Sequence, residues 1–354
     1  MSRLRTAAAP AKLPAPTGGG VEWNRVAGML TGLAVGDSLG NTTEGRTPAV
    51  RRQEHGEIRD YLPNRYAEYR PVGLPSDDSQ MAFWTVEHLL ERGCLDPDRL
   101  GELFCSRQIF GMGGTVRAFR SEWNRMHDWL EATQESAGNG ALMRIAPVVL
   151  PHLASPGPAL WVDAVIGGSV THNDYASNAS CAGFVAVLWE AFHARPPVPP
   201  GFWLDRFIAV AQQIEGEERR YTPRVPAYAD KQVALWQFAD EVVRDALARQ
   251  VPVVDACNSW YSGAFVLETV PSVLYILERC GNDPEEALVR AVNDTCDNDS
   301  AGAVVGAAVG ALHGLEGLPR RWREGLLGRT TVDDDGRVFD LIDAAHRRFG
   351  SARS

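Results

Sequence analysis

Gly28-Met29-Leu30-Thr31-Gly32-Leu33-Ala34-Val35-Gly36-Asp37-Ser38-Leu39-Gly40 is the stretch that decides the fold. Its glycines at 28, 32, 36 and 40 stand four residues apart, a step that nearly completes one helical turn, so on an α-helix they form one slowly drifting stripe. The apolar positions Trp23, Val26, Ala27, Leu30, Leu33 and Ala34 share helical spacing and predict a helix over 22–40, with Asp37 on the same stripe. Gly302, Gly306, Gly310 and Gly314 repeat the pattern late in the chain. A glycine inside a helix costs about 1 kcal/mol relative to alanine, so a stripe of them in each of two helices points to close backbone packing. Acids stand at one end of each stripe: Asp37 and Glu44 at the end of the first, Asp297 and Asp299 before the second.

Outward from these stripes, helical character is expected over 79–92, 97–109, 141–153, 161–170, 176–194, 201–215, 234–249, 264–280, 284–293, 300–315 and 338–349, while period-two alternation is scarce. The expected fold is therefore all-α, with long loops at 41–75, 110–140 and 216–230 that are longer than a compact bundle usually tolerates without function. The 354 residues carry 35 basic and 45 acidic side chains, net −10, and 45% hydrophobic residues. That balance disfavours a nucleic-acid or anionic-membrane partner. The longest apolar run, 301–312, is too short to span a bilayer. Six scattered cysteines without a Cys-x-x-Cys fit buried thiols in a reducing cytosol, so the expected location is cytoplasmic. Residues 1–20, rich in Ala, Pro and Gly, are expected to be a disordered extension, 21–349 one domain and 350–354 a tail.

Two acidic segments enter helices: Pro75-Ser76-Asp77-Asp78-Ser79-Gln80 and Asn293-Asp294-Thr295-Cys296-Asp297-Asn298-Asp299-Ser300. An isolated Asp-Asp before a helix is ordinarily a capping arrangement. If both entrances converge, Asp77, Asp78, Asp297 and Asp299, with the hydroxyls of Ser76 and Ser300, offer oxygen ligands that suit Mg²⁺, Mn²⁺ or Ca²⁺ rather than structural zinc. Four such carboxylates repel one another unless cations neutralise them, and two divalent ions do this better than one.

Several ordered blocks resemble the ADP-ribosylglycohydrolase family, which includes ADP-ribosylarginine hydrolases, the dinitrogenase-reductase-activating hydrolase and serine-ADP-ribose hydrolases. They are Gly32 to Gly40 followed by Glu44, Ser76-Asp77-Asp78-Ser79-Gln80-Met81, Gly138-Asn139-Gly140-Ala141-Leu142-Met143-Arg144, Thr171-His172, Ser262-Gly263 through Glu268-Thr269, and Asp297-Asn298-Asp299-Ser300. Serine replaces the family's threonine at 76, 79 and 300, keeping the hydroxyl but losing the methyl that stiffens the rotamer.

The resemblance implies a compact single-domain orthogonal bundle with a binuclear site at its centre. It also implies two Mg²⁺ or Mn²⁺ ions among Ser76, Asp77, Asp78, Asp297, Asp299 and Ser300. Glu44, Asp77, Asp78 and Asp299 are the expected catalytic acids. Backbone amides of Gly138, Asn139 and Gly140 are expected near a diphosphate, His172 on the nucleotide side, and Phe110 stacked on adenine. The implied activity is removal of ADP-ribose from modified protein side chains, arginine first, with serine or another O-linked residue as the alternative. Two further readings stand beside it: an immunity-type protein whose extension binds an ADP-ribosyltransferase toxin, and a metal-dependent phosphatase.

Overall fold

A computed structural model describes residues 4–350; the rest of the 350–354 tail and residues 1–3 lie outside the described residues. Among the described residues there are sixteen α-helices and no β-strand, only isolated bridges. The fold is all-α and forms a single domain.

Its centre is the pair Trp23–Gly40 and Asn298–His313, which run antiparallel with their glycine stripes face to face. A Cβ on Gly28 would strike the carbonyl oxygen of Gly310, one on Gly32 that of Gly306, and one on Gly36 that of Gly302. Beyond them Gly40 lies against the backbone of Asn298 and Asp299. The antiparallel sense therefore brings the carboxyl end of the first helix, with Asp37, to the amino end of the late helix, with Asp297 and Asp299. Asn298 ties the junction by donating to the carbonyls of Gly40 (3.0 Å) and Val292 (3.2 Å) and to Thr43 Oγ1 (3.0 Å).

Helices Tyr175–His193, Val266–Cys280 and Pro284–Asp294 pack around this pair. Helix Asp77–Arg92 gives Phe83, Val86 and Leu89 to the main core and Met81 and Trp84 to a smaller one with Phe104, Phe119 and Trp123, which joins the two cores into one body.

Three expectations need correction. The segment 141–153 is two 3-10 turns, Leu142–Arg144 and Ala146–His152, because Pro147 and Pro151 cannot donate to a continuous α-helix. The expected loops 41–75 and 110–140 contain helices Pro48–His55, Gly114–Met126 and the single turn Trp129–Ala132. Finally, the extension expected to be disordered lies along the domain from Leu4 onward. Arg5 N–H donates to Asn173 Oδ1 (3.0 Å), Ala7 N–H to the Ile214 carbonyl (2.8 Å), and Leu13 is buried. The indoles of Trp161 and Trp189 donate to the carbonyls of Pro14 (2.8 Å) and Thr17 (2.7 Å). Polar anchors at sequence separations above 140 residues hold what composition alone reads as unstructured.

Candidate active site

Asp37 is the fixed point from which the site is built. Fully buried at the end of the first glycine helix, it accepts from Ser76 N–H (2.8 Å) and Oγ (2.6 Å), from Ser79 N–H (3.1 Å) and Oγ (2.5 Å), and from Asn41 Nδ2 (3.0 Å). Burial pushes its carboxyl up, against the pull of these donors. Asp37 thereby pins the start of helix Asp77–Arg92 beside the start of helix Asn298–His313. Both acidic entrances do open helices, with Asp77 and Asp78 in the first turn of one and Asp299 in the first turn of the other, facing the positive end of the helix, although neither Ser76 nor Asp297 makes a side-chain capping bond.

Asp77, Asp78, Asp297, Asp299 and Ser300 line one cleft, together with Glu44, Gly138, Asn139, Gly140, Met143, His172, Ala264 and the 111–116 segment. Burial, then Asp37 and Glu44, raises the Asp77 carboxyl to about 8. Asp78 and Asp299 are pushed well above the ordinary range, chiefly by burial and then by neighbouring carboxylates. Asp297 is raised by burial while Asn139 opposes the shift. Glu44, reaching in from an exposed lip, is raised by burial and then by Asp297 and Asp37.

As the side chains stand, no three or more His, Cys, Asp or Glu groups among the described residues close around one point as a metal cage. The donor set nevertheless suits hard cations: it is all oxygen, its carboxylates repel one another, and Asp78 Oδ1 is buried without a hydrogen-bond donor. Ser76 reaches the cluster through Asp37, to which its hydroxyl is bonded.

The glycine loop departs from expectation. Asn139 N–H donates to the Ala264 carbonyl (2.9 Å) and Gly138 N–H faces Ser136 Oγ (3.3 Å), so neither amide is free for a diphosphate and only that of Gly140 lacks a protein acceptor. Asn139 instead works through its side chain, donating from Nδ2 to Asp297 Oδ2 (2.6 Å) and Thr269 Oγ1 (3.0 Å).

His172 packs beneath this loop, with its ring where a Cβ on Gly140 would lie. Arg144 Nη2 donates to Thr171 Oγ1 (2.8 Å), and that hydroxyl is also hydrogen-bonded to His172 Nδ1 (2.8 Å). Burial, then Arg144, lowers His172 to about 3, so the ring is neutral. Phe110 is not among the cleft-lining residues; its backbone N–H donates to Gln80 Oε1 (2.8 Å), and the glycines that follow it, 111, 113 and 114, form the wall instead.

Sequence reasoning missed Arg51. Fully buried, it donates to the carbonyls of Asn293 (3.1 Å), Thr295 (2.9 Å) and Arg46 (2.9 Å) and to Thr43 Oγ1 (3.0 Å), locking the turn that carries Glu44 to the approach to Asp297. Thr47 before Pro48 marked the start of its helix, but nothing local marks the carbonyls it serves.

The family model described as ADP-ribosylglycohydrolase matches residues 21–353. The chain belongs to the ADP-ribosylglycohydrolase family. It is 27% identical to the ADP-ribosyl-[dinitrogen reductase] glycohydrolase of Rhodospirillum rubrum, over 84% of this chain and 89% of that one. It is 26% identical to the ADP-ribosylarginine hydrolase Tri1 of Pseudomonas putida, over 85% of this chain and 74% of the relative. A solved structure titled ADP-ribosylglycohydrolase-related protein complex superposes with a TM-score of 0.67 at 26% identity, covering 92% of this chain and 98% of the other. No helix among the described residues is long and apolar enough to cross a membrane.

Proposed function

We propose that the chain hydrolyses the bond between the distal ribose of ADP-ribose and a modified protein side chain, arginine in the first place and serine or another O-linked residue as the alternative. The single observation that carries this reading is the meeting of Asp77 and Asp78 with Asp297 and Asp299 in one cleft beside the 138–140 loop. Arginine is favoured by the Pseudomonas putida relative, an ADP-ribosylarginine hydrolase, and by Glu44, an acid at the lip suited to face a guanidinium.

Two divalent cations, Mg²⁺ or Mn²⁺, held by Ser76, Asp77, Asp78, Asp297, Asp299 and Ser300, would neutralise the acids and polarise sugar hydroxyls and water. The chain's own part is positional and acid–base. Asp297, held by Asn139, and Asp299 accept from the ribose hydroxyls and fix the sugar as positive charge develops at its anomeric carbon. Glu44 is the cleft acid outside the proposed ligand set, and its raised pKa suits it to carry a proton between the attacking water and the departing nitrogen or oxygen. The anomeric bond breaks, water supplies the new oxygen, and the leaving side chain takes a proton.

The test is an Asp77→Ala/Asp78→Ala double variant assayed by mass spectrometry on ADP-ribosylated protein with and without Mg²⁺. Its helical spectrum should match that of the unaltered chain, while free ADP-ribose release falls by about 1,000-fold, within the range for lost acid–base and electrostatic groups. Undiminished turnover refutes the reading, and release of inorganic phosphate by the unaltered chain turns it toward a phosphatase.

A further inference from the structure

The long loop 216–230 is fastened to the outer wall of the cleft. Tyr221 donates its hydroxyl to Asp174 Oδ1 (2.6 Å), accepts there from Ala176 N–H (3.1 Å), and sets its ring edge-on to Phe265 at 6.2 Å between centroids. This carries Arg224 onto the face of Phe265, with the guanidinium carbon 4.5 Å from the ring centroid. Phe265 is bridged to Gly138 and is next in sequence to Ala264, which lines the cleft. The Arg224 side chain is 62% exposed, and its nearest anion, Glu268 Oε1, is 3.8 Å from Nε, beyond hydrogen-bond reach. Glu268 itself is 2% exposed, and neither of its carboxylate oxygens has a hydrogen-bond partner. A guanidinium stacked on an aromatic ring with its donor fork unspent is a ready receiver for phosphate oxygens. Through Phe265 it stands next to Gly138 and Ala264 in the cleft wall, and its positive charge offsets the buried Glu268 beside it.

We propose that Arg224 is a ligand-binding residue that takes a phosphate of the nucleoside-diphosphate part of the substrate at the cleft lip, with Glu268 as the internal anion competing for the same guanidinium. This rests on the hydrolase reading above and adds a contact to it. The two anions compete, so their removal has opposite signs. Binding of ADP, AMP and adenosine to the full chain is measured by calorimetry. Arg224→Ala should weaken ADP about tenfold, as expected for loss of a charge-assisted hydrogen bond, and should leave adenosine within twofold. Arg224→Lys, which keeps the charge without the fork, should fall between. Glu268→Gln, nearly isosteric, should tighten ADP by about threefold, a sign that a purely structural role for this carboxylate would not give. Equal ADP affinity for Arg224→Ala and the unaltered chain, or an equal loss for ADP and adenosine, overturns the Arg224 assignment and leaves the hydrolase reading standing. Absence of ADP binding by the unaltered chain overturns both.

Discussion

The two ends of the cleft are built by opposite means. At the acid end, two helices meet backbone to backbone along Gly28, Gly32 and Gly36 against Gly310, Gly306 and Gly302, and the carboxylates grow from the ends of that seam. At the lip, single bridges, a glycine loop and stacked side chains make the wall, and Gly113 and Gly114 have nothing within 4 Å of where a Cβ would stand. The contrast teaches that the same residue type serves close contact in one place and open space in the other, and that only the first is structurally obligatory.

The sharpest way to break this contrast is Gly36→Val. It drives a branched side chain into the Gly302 carbonyl and should cost about 3 kcal/mol or more, read as a large fall in melting temperature or as failure to fold. Next in size is Asn139→Ala, which frees Asp297 at the acid end without touching the seam. Removing one charge-assisted bond of about 1.5–3 kcal/mol should lower kcat about ten- to a hundredfold while the melting temperature moves little. Smaller again is a pH effect confined to the acid end. Asp77, at about 8, holds a proton in the folded chain that the unfolded chain releases near pH 4, and burial shifts its neighbours Asp78, Asp297 and Asp299 in the same direction. The stability they lend is therefore present at low pH and is lost as pH rises from about 4 toward 8. In chelator, melting should occur a few degrees lower at pH 8 than at pH 6 if these acids dominate, and Mg²⁺ should close the gap; no effect of Mg²⁺ at pH 8 counts against the cation assignment.

Much of this could be read from residue order alone, because glycine spacing and helical periodicity are local signals. The seam, most helices and the two acidic entrances are of that kind. In the expected loop 110–140, Val116, Phe119 and Trp123 stand at helical spacing and form the buried face of helix Gly114–Met126. What could not be read depends on distance. Asn139 reaches Asp297 across 158 positions, Arg51 reaches Thr295 across 244, and Trp189 holds Thr17 across 172. None of these side chains announces its partner, so the amide role given to Asn139 and the disorder given to residues 1–20 were the readings most open to revision.

A seam with no side chains between its helices has a mechanical consequence. Its two members can neither slide nor spread without carbonyls colliding or a void opening, so the acids rooted at its end move as one block. Adaptation to differently sized leaving groups then falls to the outer loops, where residues can be exchanged without disturbing the chemistry behind them.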